Sequence, residues 1–182
     1  MHSTNKGAQV EYFISPSERY YVRTIGDNPR KEVADFPKQF PTLAQDFHFP
    51  SFFTGAHDLS QGYFSSILRM SSKDIQLWTH YDITDNLLCH ITGKKRVVLF
   101  PPSDVNKLYV EGSSSPVLDV DHPDLSRFPR FAKTHAMECI LQPGDILFIP
   151  ALCELSRFSS LSLSFLFPMF ILIYFSFAYF YF

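Results

Sequence analysis

The first 150 residues consist of short apolar runs that alternate with turn residues. The runs are rich in β-branched and aromatic residues and are bounded by glycine, proline, serine or asparagine, a pattern typical of strands. Residues 63–70 and 75–82 predict one hairpin, and residues 91–100 predict a second around Gly93. Residues 137–150 predict two strands joined by a Pro-Gly-Asp turn. Many short strands without a long amphipathic helix predict a mainly β (α+β) domain, folded as an antiparallel roll or barrel.

The chain divides into three parts by composition. Residues 1–9 are polar and predict a disordered start, whereas residues 10–152 carry the strand pattern and predict one domain. Because the strand pattern begins almost at once, we expect this domain to be partial, with its start missing. Within it, residues 30–39 predict a short helix that Pro37 interrupts or ends. Residues 153–182 form a divergent tail that holds much of the excess of phenylalanine.

Charge and cysteine content narrow the possible partners only slightly. The formal net charge is −2 and the pI is about 6.4, so contact with nucleic acid would depend on a local patch such as Lys-Lys-Arg at 94–96. The three cysteines lack Cys-x-x-Cys spacing, and the first residues do not resemble a signal peptide. We therefore expect free thiols and an intracellular location, either cytoplasmic or nuclear.

One His-x-Asp pair lies at the end of an apolar run that predicts a strand. Residues 76–82 read Gln-Leu-Trp-Thr-His-Tyr-Asp, which places His80 and Asp82 two positions apart. Residues two apart on a strand point to the same face, where an imidazole and a carboxylate can bind one metal ion. Two histidines and one carboxylate suit non-haem Fe(II), since they leave open positions on the metal. The pair supplies two of these three ligands, although its spacing alone is common.

Several further motifs follow in order around this pair. They are residues 31–35 (Lys-Glu-Val-Ala-Asp), 85–88 (Asp-Asn-Leu-Leu), 92–100 (Thr-Gly-Lys-Lys-Arg-Val-Val-Leu-Phe) and 144–152 (Gly-Asp-Ile-Leu-Phe-Ile-Pro-Ala-Leu). From about residue 10 to residue 152 the chain resembles the JmjC (cupin-like) family of Fe(II)- and 2-oxoglutarate-dependent oxygenases, and within it the tRNA wybutosine-synthesising hydroxylases. The resemblance implies a double-stranded β-helix, a jelly-roll or cupin fold. It also implies hydroxylation of the side chain of a modified guanosine in phenylalanine tRNA, with Fe(II) and 2-oxoglutarate as cofactor and cosubstrate.

The same resemblance assigns roles to individual residues. His80 and Asp82 would bind iron, and Lys95 would pair its ammonium with the distal carboxylate of 2-oxoglutarate. Three other residues would contact or line the cosubstrate site: Tyr21, Thr79 and Asn86. Without the resemblance, Lys95 would be read as a solvated hairpin charge, and Tyr21 as a core or rim aromatic. No catalytic residue beyond the metal site is implied.

The chain departs from the family pattern directly after residue 152. The family continues with Trp-x-His, which supplies the third iron ligand, whereas this chain reads Cys153-Glu154-Leu155. Leu155 therefore stands in the place of the ligand histidine. Glu154 is one residue off and would point to the opposite face of a strand, while Cys153 shares the parity of Leu155 but has no other support as a ligand. We expect the closing strands of the family to be missing and the activity of this form to be impaired.

Residues 161–182 form an uncharged run of phenylalanine, leucine, serine, isoleucine and tyrosine with a single proline. About 20 apolar residues are enough to cross a bilayer, so a membrane anchor is one interpretation. A buried aromatic element is the second, and read-through of sequence never selected as protein is the third. We favour the third, because these amino acids share pyrimidine-rich codons and the family resemblance ends just before the run.

Two functions other than tRNA hydroxylation fit the same pattern. One is a JmjC hydroxylase that acts on a protein side chain, and the other is a non-catalytic cupin-like binding module. The family resemblance implies phenylalanine tRNA as the substrate and a homodimer for the full-length protein. Association with a membrane follows only if the tail is a genuine protein segment.

Overall fold

The computed structural model describes residues 19–26, 28, 32–48, 65–72, 75, 77–160 and 169–177. The expected disordered start and two parts of the tail, residues 161–168 and 178–182, lie outside these ranges. In the described part, the strands are β1 Tyr21–Arg23, β2 Ser65–Ser72, β3 His80–Tyr81, β4 Asp85–His90, β5 Lys95–Phe100, β6 Met137–Leu141, β7 Ile146–Ile149, β8 Glu154–Ser160 and β9 Met169–Phe177. The α-helices are α1 Phe36–Gln39 and α2 Pro41–Ala44, and two 3₁₀ helices span Pro102–Asp104 and Pro129–Lys133.

The strands form two antiparallel sheets. Sheet A has the order β1-β2-β9-β4-β7, and sheet B has the order β3-β8-β5-β6. From β2 onward the chain crosses repeatedly between the two sheets, and β5 and β6 are the exception because they are neighbours in sheet B. This winding is a double-stranded β-helix, and it confirms the mainly β jelly-roll fold expected from the sequence.

A strand lies within each predicted run, although residues 75–82 hold only the two-residue β3, and the two predicted hairpins are wrong. The strands on each side of all three predicted turns lie in different sheets: β2 and β3, β4 and β5, and β6 and β7. Two of the predicted turns are present, since Gly93 and Gly144 adopt φ angles of 85° and 94°. Such left-handed conformations favour glycine. At the predicted turn over 71–74, β2 continues to Ser72 and residues 73–74 lie outside the described ranges. Packing across the interior decides which strands pair.

Helix α1 begins later than the sequence suggested. Its N-cap is Asp35, whose side chain accepts a hydrogen bond from the backbone N–H of Lys38 at 3.4 Å. Pro37 lies in the first turn, where its missing N–H leaves no hydrogen bond unmade. The backbone N–H of Phe36 donates to Ser66 Oγ at 2.7 Å, which fixes the helix against β2.

In the described part of the chain, the buried hydrophobic residues form three clusters. The interior cluster lies between the sheets and contains Ala34, Ile67, Leu88, Val97, Leu141 and Ile149. The helix-side cluster packs α1 against the outer face of sheet A and contains Phe36, Leu68, Leu87, Cys89 and Ile173. The loop-side cluster covers the outer face of sheet B and contains Val98, Phe100, Leu108, Val117, Phe128 and Phe131. Because side chains alternate along a strand, these clusters identify the inner face of each strand.

The tail differs from the expectation that the closing strands are missing. In the structure, β8 pairs with β3 and β5, and β9 pairs with β2 over residues 169–176 and with β4 over residues 172–177. Strand pairing uses backbone groups, and branched and aromatic residues favour strands, so residues unlike those of the family can fill these positions. Within the described ranges, no helix is long and apolar enough to cross a membrane.

The position of β9 makes a prediction about truncation. A chain that ends after residue 160 would leave β2 and β4 without the neighbour they share, which would split sheet A into two parts. We expect this truncation to abolish cooperative thermal unfolding, measured by circular dichroism and calorimetry. Removal of residues 178–182 alone is the control, because it spares every described strand. Equal melting of the two truncated chains would contradict the placement of β9.

Candidate metal and cosubstrate site

His80 is held in an orientation that suits a metal ligand. Its Nδ1 lies 2.9 Å from the backbone oxygen of Trp78. Because a carbonyl oxygen only accepts, Nδ1 carries the proton and donates it, and the lone pair of the ring is on Nε2. Hydrogen bonding of the second ring nitrogen to a carbonyl is typical of histidines that bind metals. The local structure therefore prepares Nε2 as a donor atom.

Asp82 follows β3 directly and is held from two sides. Its Oδ2 accepts a hydrogen bond from Nδ2 of Asn86 at 3.2 Å, and its backbone oxygen accepts one from the N–H of Leu152 at 2.9 Å. The same Nδ2 of Asn86 donates to the backbone oxygen of Thr84 at 3.0 Å. Both N–H groups of the Asn86 amide are thus used within the protein. Asn86 therefore helps to position Asp82, and its contact with a cosubstrate stays a prediction.

Leucine stands at the position where the sequence comparison predicted a third ligand. Leu155 on β8 pairs in register with His80 on one side and with Leu99 on the other, so it lies directly beside the histidine. Glu154 pairs with Tyr81 and Phe100, one register position away from His80. Among the described residues, no group of three His, Cys, Asp or Glu residues is close enough to hold a metal ion. The residues supply two donors and do not fit a complete facial triad.

Cys153 does not replace the missing ligand. It packs against the interior cluster, and burial, followed by the nearby charge of Asp85, raises the pKa of its thiol. Metals bind the thiolate, so a raised pKa disfavours this role at neutral pH. Cys89 is still less reactive, because burial raises its pKa to about 12. All three cysteines are free thiols, as the sequence predicted.

Lys95 lies inside the barrel and is not a solvated hairpin charge. It is only 3% exposed and shares the inner face of β5 with Val97 and Leu99. Burial, and then the positive charge of Arg69, lowers the pKa of the Lys95 ammonium well below its ordinary value. Because Leu99 lies in the same cross-strand row as His80, Lys95 is about 13 Å further along the sheet. The long lysine side chain can cover part of this interval.

The other residues predicted to contact the cosubstrate, Thr79 and Tyr21, differ in how exposed they are. Thr79 is 1% exposed and its backbone oxygen accepts a hydrogen bond from the N–H of Ser115 at 2.9 Å. Tyr21 lies on the edge strand β1, where it pairs with Ser71 and is 41% exposed. The structure therefore brings Thr79 next to His80 and places Tyr21 at the rim of sheet A. These roles toward a cosubstrate stay predictions.

The sequence analysis did not identify two residues of the barrel interior, Arg69 and His90. Backbone register places His90, Leu172, Arg69 and Arg23 in one row across sheet A. His90 is 1% exposed, and its Nε2 lies 3.0 Å from the backbone oxygen of Gly93. Burial, partly opposed by this hydrogen bond, lowers the pKa of His90, and the charge of Lys95 lowers it further. A signal was available, because Arg69 is two residues from Ile67 and His90 is two from Leu88, both in the interior cluster.

The expected basic patch at residues 94–96 is not supported. Arg96 Nη1 lies 3.0 Å from Asp121 Oδ1, and its Nη2 lies 2.5 Å from Glu138 Oε2. The hydrogen bond to Glu138, with a smaller contribution from Asp121, raises the pKa of the guanidinium above its ordinary value. Two carboxylates thus neutralise Arg96, while Lys95 faces the interior.

The fold and this interior site together define a class of protein. The fold is a double-stranded β-helix, and His80 lies in one cross-strand row with Leu155 and Leu99. The family described as Cupin-like domain matches residues 4–153. The chain therefore belongs to the cupin-like domain family.

Several known proteins are similar in sequence to most of this chain. The tRNA wybutosine-synthesizing protein 5 of Danio rerio is 56% identical over 142 residues, which cover 78% of this chain and 42% of that protein. The protein of the same name from Homo sapiens is 54% identical over 142 residues, 78% of this chain and 44% of that protein. The tRNA wybutosine-synthesizing protein 4 of Neurospora crassa is 38% identical over 146 residues, 76% of this chain and 12% of that protein. The chain thus spans less than half the length of these relatives.

Leu155 provides a direct test of the metal site. We expect Leu155→His to raise the affinity for Fe(II) by at least about 10- to 100-fold, since loss of a contact beyond the ligands already has that effect. Metal content after anaerobic loading and titration calorimetry would measure the change. Ser156→His is the matched control, because Ser156 pairs with Val98, whose side chain lies in the loop-side cluster. Stoichiometric, tight iron in the unchanged chain would refute the expectation.

Proposed function

We propose that this chain is the cupin-like part of an Fe(II)- and 2-oxoglutarate-dependent hydroxylase of the tRNA wybutosine pathway. Its substrate would be the side chain of a modified guanosine in phenylalanine tRNA. The names of the relatives support the pathway, and the family supports the fold. The observation that carries the proposal for this chain is the buried Lys95 on the same inner wall as His80.

A buried lysine is uncommon inside a folded domain. Removing a charged group from water is expensive, and the nearby Arg69 adds repulsion. Strongly perturbed ionisable groups inside a protein are candidates for binding sites. A dicarboxylate such as 2-oxoglutarate would place one carboxylate against Lys95 and relieve that repulsion through a charge-assisted hydrogen bond. Thr79 and Tyr21 would line the same site, at its inner end and at its rim respectively.

The incomplete set of metal ligands limits the activity that we propose for this chain. His80 and Asp82 are two donors, and Leu155 supplies none, so we propose that iron is held weakly and that turnover is impaired. The same observation favours a second function, a cupin-like module that binds an anionic ligand without catalysis. The two functions share the Lys95 end of the site and differ at the iron end.

Nucleoside analysis separates these functions. The chain and its Leu155→His variant would be incubated with Fe(II), 2-oxoglutarate, ascorbate and phenylalanine tRNA that carries the unhydroxylated wybutosine precursor. Mass spectrometry of digested nucleosides would then show whether oxygen has been added. We expect hydroxylation by the variant at a rate at least about tenfold above that of the unchanged chain. Addition of oxygen to a peptide but never to tRNA would exclude the proposed substrate, and no oxidation by either form would favour the binding module.

Lys95→Met tests the cosubstrate end independently of catalysis. Loss of one charged hydrogen bond, about 1.5–3 kcal/mol, is expected to weaken binding of 2-oxoglutarate roughly 10- to 100-fold in titration calorimetry. Lys94→Met is the matched control, because it removes the same charge from a partly exposed neighbour. Equal affinity in the two variants would show that Lys95 does not hold the cosubstrate.

The lowered pKa of Lys95 also predicts how stability depends on pH. Between the lowered pKa and the ordinary pKa of lysine, the unfolded chain binds a proton at Lys95 that the folded chain does not bind. The free energy of unfolding should therefore rise with pH across this interval. Urea unfolding at a series of pH values should show a smaller rise for Lys95→Met than for Lys94→Met. The same pH dependence in both variants would contradict the burial of a titrating ammonium.

A further inference from the structure

Three cations are aligned outside the barrel, and we call them the basic ridge: Arg127, Arg130 and Lys133. They recur at intervals of three residues, and the last two lie on the 3₁₀ helix Pro129–Lys133. A 3₁₀ helix has three residues per turn and rises about 2 Å per residue, so these two side chains share one face about 6 Å apart. The hydrogen bond from the N–H of Phe131 to the oxygen of Phe128, at 3.0 Å, continues the same spacing toward Arg127.

The opposite side of this segment is anchored in the protein. Phe128 and Phe131 are 9% and 7% exposed and belong to the loop-side cluster, where the ring of Phe131 packs edge-on against Phe100 at 5.9 Å. Each phenylalanine follows an arginine of the ridge. The three-residue repeat therefore buries the aromatic residues and leaves all three cations exposed. The buried phenylalanines therefore hold the basic ridge in a fixed position.

Both arginines of the ridge lie over aromatic rings. The guanidinium of Arg130 is 4.1 Å from the ring centre of Tyr109, and that of Arg127 is 5.0 Å from the ring centre of Phe128. The hydroxyl oxygen of Tyr109 also accepts the backbone N–H of Arg130 at 2.9 Å. A cation–π contact uses the flat face of the guanidinium, so its N–H edges stay available for hydrogen bonds. Such stacked guanidinium planes suit phosphates and bases of single-stranded RNA.

The ridge keeps its positive charge, unlike other cations of the same region. Arg96 is paired with two carboxylates, and Lys107 Nζ lies 2.5 Å from Asp104 Oδ1. Within the described ranges, the ridge cations have no ion pair with a carboxylate. Residues 125–137 also contain no aspartate or glutamate.

Asp124 is the acidic residue nearest to the ridge in the sequence, and its carboxylate forms local hydrogen bonds. Its Oδ1 accepts hydrogen bonds from the backbone N–H groups of Ser126 and Arg127 and from the Ser126 hydroxyl. The hydroxyl bond from Ser126 contributes most to lowering the pKa of Asp124, and the charge of Arg127 contributes least. Asp124 therefore orders the turn before the ridge through these hydrogen bonds.

One segment connects the ridge to the strand that carries His80. Residues 109–115 begin at Tyr109, which lies under Arg130, and end at Ser115, whose N–H donates to the oxygen of Thr79 at 2.9 Å. Between them, Ser114 forms a bridge with His80, and the hydroxyl of Tyr81 donates to the oxygen of Gly112 at 3.2 Å. A ligand on the ridge would therefore lie close to β3.

We propose that the basic ridge binds the phosphate backbone of an RNA substrate and positions it beside β3. This inference rests on the proposed function, because it names the surface through which the tRNA would be held. RNA is the chosen partner because it offers phosphates at regular intervals together with bases that stack on aromatic and guanidinium planes. An acidic peptide offers negative charges but no bases that stack on aromatic and guanidinium planes.

Salt dependence of binding tests the ridge. The full 182-residue chain and the variant R127Q/R130Q/K133Q would be titrated with an unmodified phenylalanine tRNA transcript over a series of salt concentrations, read by fluorescence anisotropy. Each lost phosphate contact lowers the slope of log K against log salt by about 0.7 to 0.9, so the triple variant should lose roughly 2 to 3. The single variant K133Q should lower the slope by about one third of the decrease expected for the triple variant. K38Q is its matched control, because it removes one exposed lysine from α1 and should leave the slope unchanged.

A charge-preserving variant isolates the stacked arginine. R130K keeps the positive charge but loses the planar guanidinium over Tyr109, so the salt slope should stay constant while affinity falls a few-fold. Thermal unfolding of every variant checks that the fold is kept. An unchanged slope in the triple variant, or no binding of tRNA by the folded chain, would overturn the proposal. Equally tight binding of polyglutamate with the same dependence on the ridge would overturn the choice of RNA.

These outcomes can be separated from those of the proposed function. Binding of tRNA through the ridge by a chain whose Leu155→His variant still hydroxylates no nucleoside would support the ridge and contradict the hydroxylase. Hydroxylation of tRNA by that variant, with a slope unaffected by R127Q/R130Q/K133Q, would support the hydroxylase and contradict the ridge.

Discussion

The double pairing of β8 and β9 is the constraint on which the rest of the structure depends. Each of these strands hydrogen-bonds to two strands that are distant in the sequence, β3 and β5 for β8, and β2 and β4 for β9. Each therefore fixes the register between its two neighbours. A shift of one residue would turn every side chain of a strand to the other face. His80, Arg69 and Lys95 share the barrel interior only while both registers hold.

Local signals in the sequence were sufficient for strands and turns but not for strand partners. Gly93 and Gly144 lie where the sequence placed turns, and the apolar runs beside them are β4 to β7. A hairpin and a crossing between sheets leave the same local trace, because both need a turn after a strand. What distinguishes them is which face packs against which, a property of residues far apart in the chain. The same limit hid the contribution of residues 154–160 and 169–177, whose composition indicated nothing about their neighbours.

The Lys-Lys-Arg run at 94–96 shows how strand alternation divides one charged motif into different roles. Lys95 faces the interior and has a lowered pKa, whereas Arg96 faces outward and is paired with Asp121 and Glu138. From its residue types alone, this run predicted a single basic patch. The structure instead shows a basic surface at Arg127, Arg130 and Lys133, where cations and phenylalanines alternate with the period of a 3₁₀ helix. That period was legible in the sequence, although the short, proline-marked segment did not suggest a helix.

Fold and chemistry have different tolerance for substitution in this protein. Pairing of β8 with β3 and β5 requires only backbone groups and residues that accept an extended conformation, and leucine satisfies both requirements at position 155. The proposed metal site would require a donor atom on the side chain at that same position, and leucine has none. The proposed anion-binding end does not depend on this position, because Lys95 is carried by β5 and is buried. A barrel of this kind can therefore stay closed, and keep Lys95 buried, without a side-chain donor at position 155.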